Sequence, residues 1–175
     1  MSKGLLHIYC GDGKGKTTAA TGLAIRCAGS GRKVLFVRFL KNDKSSELKI
    51  LETIDGMDVL NPDKEFGFYN KLTENQKAEI KQVYSAYWSK VMDMVEQNDY
   101  DMLVIDEFIS AYNHNIINQN DALNYLKSRN EQLEVVLTGR DPKEALIDIA
   151  DYVSAIKKEK HPFDEGIGAR IGVEF

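Results

Sequence analysis

The sequence has 175 residues, of which 43% are hydrophobic and 29% charged, and its formal net charge is −4. This composition excludes a chain that is disordered as a whole, and the length predicts one domain over residues 1–175. The negative charge argues against wholesale binding of duplex nucleic acid, and no apolar run is long enough to span a membrane. Two cysteines, Cys10 and Cys27, build neither a disulfide framework nor a four-cysteine zinc site. We therefore expect a cytoplasmic protein that binds neither nucleic acid nor membrane.

Short apolar segments alternate with helical patterns along the chain. Pattern and length predict strands over residues 5–9, 34–37, 57–60, 102–105 and 133–137, a last core strand over 152–156 and an edge strand over 172–175. Helices are predicted over residues 16–28, 46–54, 74–97, 121–129 and 143–149. The longest helix follows Thr73, whose spacing from Gln76 is that of a capping box, and Trp88 lies beside its apolar stripe as a core aromatic.

Strands that are apolar on both faces and alternate with helices are typical of a parallel sheet with helices on both sides. The predicted fold class is therefore α/β, with a mostly parallel sheet. Ligands in such folds bind beyond the carboxyl ends of the strands, so the residues that follow each strand matter most. Three of these strand ends carry residues with a recognisable chemistry.

The first strand end reads Cys10-Gly11-Asp12-Gly13-Lys14-Gly15-Lys16-Thr17-Thr18. Its glycines let the backbone turn tightly and aim successive N–H groups inward, and the helix predicted to begin at Lys16 adds its positive dipole end. Lys16 contributes an ammonium group, and Thr17 contributes a hydroxyl for a phosphate-bound Mg²⁺. The match to G-x-x-x-x-G-K-[ST] is imperfect, because Cys10 stands where the leading glycine is expected. The loop nevertheless predicts a polyphosphate cradle.

Acidic and basic residues follow two later strands. Asp106 and Glu107 follow the strand over 102–105, where P-loop proteins place the carboxylate on the Mg²⁺ side. If the strand persists, their side chains point to opposite sides, and spacing does not decide which of them touches the metal. Arg140 follows the strand over 133–137 and can reach a phosphate, whereas Arg26 lies on the first helix, about two and a half turns beyond Thr17. From the residues alone, both arginines are also compatible with a solvated surface position.

These features predict a protein that binds an Mg²⁺-nucleotide, and they leave hydrolysis, phosphoryl transfer and adenosyl transfer open. One alternative is a small nucleoside or nucleotide kinase, which would need a nucleoside pocket and an arginine-rich lid, and the sequence shows no arginine-rich lid segment. Another is a nucleotide-dependent switch that releases phosphate slowly. The product formed from ATP, triphosphate or ADP, separates these possibilities.

The segment Gly11-Asp12-Gly13-Lys14-Gly15-Lys16-Thr17-Thr18-Ala19-Ala20 resembles the opening motif of the ATP:corrinoid adenosyltransferases of the CobA/CobO/BtuR type. That family has asparagine where this sequence has Asp12. Five further stretches resemble the family and follow in the family's order. They are Phe39-Leu40-Lys41, Ile105-Asp106-Glu107-Phe108, Leu137-Thr138-Gly139-Arg140, and the C-terminal stretches over 146–151 and 160–166. The resemblance therefore covers nearly the whole chain, which is far more specific than the loop alone.

The resemblance implies a RecA-like P-loop domain that forms a homodimer. It implies attack of a Co(I) corrinoid on C5′ of ATP, with triphosphate leaving intact and the polyphosphate reversed relative to ordinary P-loop enzymes. The corrinoid would be cobalamin or cob(I)yrinic acid a,c-diamide, and the product would serve adenosylcobalamin synthesis or salvage. Because Co(I) is itself the nucleophile, no protein base is required, and its reduction implies an electron-transfer partner, a flavoprotein.

Carried over by position, the resemblance implies that Lys16 and the loop amides hold the phosphates and that Thr17 and Glu107 bind Mg²⁺. Arg26 and Arg140 match family arginines that contact the triphosphate. The residues implied to bind the substrates are Gly11, Asp12, Gly13, Lys14, Gly15, Lys16, Thr17, Thr18, Phe68 and Tyr69.

Many members of the family carry Gly-Phe-Thr-Trp after the third strand, an aromatic segment that helps cover the corrinoid. The corresponding stretch here is Phe66-Gly67-Phe68-Tyr69-Asn70. Phe68 matches the phenylalanine, whereas Asn70 occupies the tryptophan position. Either Tyr69 takes the part of the tryptophan, or recognition of the corrinoid is weaker in this chain.

Overall fold

The computed structural model describes residues 3–40, 45–67 and 69–174. Six strands form one sheet in which every neighbouring pair is parallel. They are β1 (Leu6–Cys10), β2 (Val34–Arg38), β3 (Met57–Leu60), β4 (Met102–Asp106), β5 (Glu134–Thr138) and β6 (Tyr152–Ala155). The strand order is β3-β2-β4-β5-β1-β6. The predicted α/β fold with a parallel sheet is confirmed.

Six helices connect or follow the strands. They are α1 (Lys16–Ala28), α2 (Leu48–Leu51), α3 (Glu74–Gln97), α4 (Phe108–Asn113), α5 (Gln119–Ser128) and α6 (Glu144–Ile147). The bounds of α1 and α3 are those predicted, whereas α2 and α6 keep only four residues each of the longer helices expected there. No described helix has both the length and the apolar character to cross a membrane.

Helix α3 carries the largest part of the core on one side of the sheet. Its N-cap Thr73 and its third residue Gln76 form the predicted capping box, in which the Thr73 hydroxyl accepts the Gln76 N–H and the Gln76 side chain accepts the Thr73 N–H. The predicted apolar stripe of α3 is buried against the sheet, and Trp88 packs there on Phe39 and Phe108. The interpretation of Trp88 as a core aromatic is therefore confirmed.

Replacement of the N-cap residue, Thr73→Ala, is expected to lower the free energy of unfolding by about 1 kcal/mol, because the N-terminus of α3 loses both reciprocal hydrogen bonds. Urea denaturation followed by circular dichroism measures the difference. Thr53→Ala is the matched control, since the Thr53 hydroxyl donates only to the carbonyl of Ile50 on the surface. Equal unfolding free energies for the two variants would contradict this account of the cap.

The C-terminal part of the chain departs from two predictions. The segment over 152–156 was expected to form a core strand, but β6 is an edge strand whose four residues are all exposed. Among the described residues it pairs with β1 alone and no second strand covers its outer edge, and an apolar sequence does not distinguish a central strand from an edge strand. The edge strand predicted over 172–175 is also wrong for the described residues 172–174, which form a turn closed by the Glu174 N–H on the carbonyl of Arg170.

The strand order brings the three chemically interesting strand ends together. Strands β4, β5 and β1 are consecutive neighbours in the sheet and run in the same direction. Their carboxyl ends therefore lie side by side at one edge. The glycine-rich loop after β1, the acidic pair at the end of β4 and the segment that ends in Arg140 after β5 all meet there.

Candidate nucleotide and corrinoid site

The loop between β1 and α1 curls around the side chain of Lys16. The ammonium nitrogen of Lys16 donates to the carbonyl oxygens of Gly11 and Gly13, each at 2.7 Å. Burial lowers the pKa of Lys16, and the positive charge of nearby Arg140 lowers it further. Two cations held this close to one another repel, so an anion between them is favoured.

The outer side of the loop packs against the chain that follows β6, and we call residues 156–174 the C-terminal arm. The Gly13 N–H donates to the carbonyl of Ile156 at 2.8 Å. A Cβ atom on Gly11 would lie 2.4 Å from that carbonyl oxygen, and one on Gly13 would lie 2.7 Å from the carbonyl oxygen of Lys157. These two glycines are therefore required by the close approach of the arm. The expectation that every loop amide aims inward is wrong at Gly13.

Side chains of the loop also contact the C-terminal arm. The Asp12 carboxylate accepts the Lys158 N–H at 3.0 Å, which is the main reason that the pKa of Asp12 lies below its usual value. The Lys14 ammonium forms an ion pair with Glu174 at 3.2 Å. Hydrogen bonds from Arg170 are the largest cause that lowers the pKa of Glu174, to about 2, so its carboxylate remains charged until the pH falls far below neutral. The arm thus holds the loop through both backbone and charge.

The acidic pair takes two different positions. Asp106 is the last residue of β4 and is fully buried, and its Oδ1 accepts the hydroxyls of Thr17 at 3.0 Å and of Thr138 at 2.6 Å. Glu107 adopts a left-handed conformation with φ 58° and caps α4, and its carboxylate accepts the Ser110 hydroxyl at 2.8 Å. Asp106 therefore contacts the threonine of the phosphate loop, whereas Glu107 faces open space beside it.

The two arginines implied by the resemblance are separated. Arg140 lies at the carboxyl edge beside Glu107, and its backbone carbonyl accepts the Asn113 side chain at 3.3 Å. Arg26 lies in the last turn of α1 and is exposed. Ten residues of helix after Lys16 correspond to about 15 Å along the axis, away from the loop. The structure therefore brings Arg140 to the site but does not bring Arg26 there.

Part of the site lines a cavity of about 990 Å³. Thr17, Thr18, Glu107 and Arg140 form its polar wall. Other residues that line the same cavity are apolar or carry rings. They are Leu40, Phe66, Tyr69 and His114, with Asn70 beside them. Phe68, which the resemblance assigns to the corrinoid, and Lys41 lie outside the described residues.

Several residues of the cavity were not found by sequence reasoning. His114 stacks on Tyr69, with ring centroids 4.2 Å apart and an angle of 27° between the planes. Thr21 follows Thr17 by one helical turn on α1, a spacing that could have identified it. The remaining members come from a loop and from the end of the C-terminal arm, where no sequence pattern points to the cavity. They are Ser45, Ser46, Glu47, Gly172, Val173 and Glu174.

Comparison with known proteins agrees with this geometry. A corrinoid adenosyltransferase from Escherichia coli K12 is 30% identical over 174 residues, which cover 99% of this chain and 86% of that protein. One from a Sinorhizobium species is 32% identical over 175 residues, which cover 99% of this chain and 81% of that protein.

Solved structures support the fold alone. A KaiC-like protein from Pyrococcus horikoshii OT3 superposes with a TM-score of 0.58 at 17% identity, over 92% of this chain and 76% of that one. The cytoplasmic domain of EssC gives a TM-score of 0.55 at 14% identity, over 98% of this chain and 37% of that one. Both similarities fit a P-loop NTPase fold.

The family model for ATP:corrinoid adenosyltransferase BtuR/CobO/CobP matches residues 2–175. Relatives named corrinoid adenosyltransferase also align with this chain over nearly its full length. The chain therefore belongs to the ATP:corrinoid adenosyltransferase family.

Proposed function

We propose that this chain, acting as one P-loop nucleotide-binding domain, transfers the 5′-deoxyadenosyl group of ATP to Co(I) of a corrinoid, cobalamin or cob(I)yrinic acid a,c-diamide. The electron pair of Co(I) forms the bond to C5′, the C5′–O bond breaks, and its electron pair leaves with triphosphate. No proton moves in this step. The observation that carries the proposal is a cavity lined both by polar residues of the phosphate loop and the neighbouring strand ends and by apolar and ring side chains.

The polar wall suits a triphosphate leaving group. Lys16 lies inside the loop curl, and the first intrahelical N–H···O bond of α1 is donated by Ala19 to Gly15. The amides of residues 16–18 therefore stand at the positive end of the helix, where phosphate oxygens bind. Together with Arg140, these groups stabilise the charge that accumulates on the triphosphate as the C5′–O bond breaks. Holding C5′ still in front of cobalt supplies the rest of the rate enhancement.

Thr17 and Glu107 are the ligands we propose for Mg²⁺. The hydroxyl proton of Thr17 is donated to Asp106, so its oxygen presents lone pairs, and the carboxylate of Glu107 lies on the same cavity wall. Hydroxyl, carboxylate and phosphate oxygens are the hard donors that Mg²⁺ prefers, so these residues fit the ion. When bound, the ion neutralises negative charge on the triphosphate. In this arrangement Asp106 orients Thr17 instead of replacing it as ligand.

The cavity position of Arg140 and the distance of Arg26 predict unequal mutational effects. Arg140→Ala is expected to lower kcat/KM for ATP by about 100-fold, because a charge on the leaving group loses its partner. Arg26→Ala is expected to change it by less than about threefold, as for an exposed helix residue. Steady-state kinetics with ATP varied at saturating corrinoid measures both. A larger loss in the Arg26 variant would show that the implied triphosphate contact is made in spite of the separation.

The experiment that tests the function is an anaerobic reaction of the protein with ATP, Mg²⁺ and chemically reduced Co(I) cobalamin. We expect light-sensitive adenosylcobalamin, followed by its absorbance, and one triphosphate for each adenosyl group transferred. Intact ATP, or ADP formed without a change in the cobalt spectrum, would refute the proposal and favour the kinase or the switch.

The proposal extends to assembly, electron supply and compartment. Exposed apolar side chains of β6, Tyr152 and Val153, support a homodimer, since such groups favour burial against a second copy. Light scattering after size exclusion, over a range of protein concentrations, tests whether the chain forms a dimer.

A flavoprotein reductant is supported by the need for Co(I) as the nucleophile. Two free, buried thiols, Cys10 and Cys27, support the reducing cytoplasm.

A further inference from the structure

We propose that His114, which stacks on Tyr69, binds the corrin ring and determines the affinity for the corrinoid. This inference rests on the proposed function and names a contact at its second substrate. The two rings stack at 4.2 Å with 27° between their planes, and both line the cavity. His114 is exposed, so its ring is available to a ligand.

The stacked pair is fixed in place from both sides. Tyr69 begins a short 3-10 helix, Tyr69–Lys71, and the Lys77 ammonium lies 5.8 Å from the centroid of its ring. The backbone N–H of His114 donates to the Ser110 carbonyl at 3.1 Å at the end of α4. In such a stack each ring covers one face of the other, so a ligand meets the outer face of one ring, which the second ring supports from behind.

Helix α4 sets the distance between this pair and the metal-binding end of the cavity. Glu107 caps the start of α4 and His114 caps its end, and both line the cavity, as does Ser110 between them. Seven residues of helix correspond to about 10 Å. Glu107 lies at the end of α4 next to the phosphate loop, where Asp106 contacts Thr17, and His114 lies at the opposite end, where we place the corrinoid.

The composition of this wall favours the corrin macrocycle over adenine as the partner of the pair. Leu40 and Phe66 extend the apolar surface beside the two rings, and a macrocycle needs a wide apolar wall. Asn70, at the position where the family has tryptophan, also lines the cavity but offers no ring. His114 supplies the ring surface that Asn70 lacks, and it does so from another segment of the chain.

Three variants test this inference in the anaerobic assay. His114→Ala is expected to raise KM for the corrinoid by about tenfold, the factor that corresponds to a lost stacking contact, and to leave KM for ATP within about twofold. His114→Phe keeps the flat ring and is expected to recover most of the affinity. Asn120→Ala, an exposed position early in α5, is the control and should match the unmodified protein.

The results that would overturn the inference are equally specific. If His114→Ala raises KM for ATP and not KM for the corrinoid, the pair belongs to the adenine site. If both KM values stay unchanged, or if His114→Phe binds the corrinoid as weakly as His114→Ala, the ring of His114 does not stack on the corrin. Equilibrium dialysis of cob(II)alamin with Mg²⁺ and ATP provides a readout without turnover. If the unmodified protein binds cob(II)alamin and His114→Ala weakens binding, the contact stands even where no adenosyl transfer is seen. Unmodified protein without transfer would count against the proposed function alone, whereas equal cob(II)alamin binding by both proteins would count against His114.

Discussion

Lys16→Ala is expected to abolish adenosyl transfer, with kcat/KM for ATP falling by at least about 100-fold, while the fold remains intact. The ammonium group of Lys16 is the cation enclosed by the phosphate loop, and its repulsion with Arg140 favours the entry of an anion. Single-turnover kinetics measures the loss, and circular dichroism with thermal unfolding checks the fold. Full activity of this variant would refute the phosphate cradle.

Lys14→Ala is the matched comparison on the same loop. The Lys14 side chain is half exposed and paired with Glu174, and its backbone amide survives the substitution. We expect a loss in kcat/KM for ATP of less than about tenfold, as for a solvent-screened cation. Equal losses at both lysines would show that the loop acts by overall charge and not by the enclosed ammonium.

Glu107→Gln is expected to lower turnover at millimolar Mg²⁺ by about 100-fold and to shift the Mg²⁺ dependence to higher concentration, because the amide is a poorer ligand than the carboxylate. The melting temperature should not change, since the side chain faces the cavity and bonds only to Ser110 among the contacts described. Titration of activity with Mg²⁺ measures the shift. An unchanged Mg²⁺ dependence would remove Glu107 from the metal site.

Asp106→Asn separates the two carboxylates. Asp106 is buried and accepts two threonine hydroxyls, so an amide there places an N–H group against groups that donate. We expect lower stability as well as lower activity, with a Mg²⁺ dependence that shifts less than in Glu107→Gln. A larger shift in the Asp106 variant would make Asp106 the ligand and Glu107 the supporting residue.

The sequence predicted much of this fold because its strands are short, apolar and separated by clear helical periods. The start of α3 was predicted correctly because its cap is explicit in Thr73 and Gln76. α4 was missed, since a six-residue helix directly after a strand has no period long enough to detect. β6 was assigned to the core because composition does not report whether a strand has one neighbour or two.

The site was predicted where a motif carries its own chemistry and was missed where tertiary structure alone supplies the contact. The loop and the acidic pair are local patterns, so Lys16, Thr17 and Glu107 could be named in advance. The stack of His114 on Tyr69 joins residues 45 positions apart, which no spacing rule connects. Arg26 stays a prediction from the resemblance alone, because a match to a family motif does not report how far along its helix the residue lies from the loop.

The contact between the phosphate loop and the C-terminal arm has a consequence for synthesis on the ribosome. Chains emerge from their N-terminus, so the complete glycine-rich motif leaves the ribosome early. The Lys158 N–H that Asp12 accepts lies 146 positions later, and the Ile156 carbonyl that accepts the Gly13 N–H lies beside it. A nascent or prematurely terminated chain therefore carries the whole motif without the groups that shape it. We therefore expect the loop to reach the shape described here only after residues 156–158 have been synthesised.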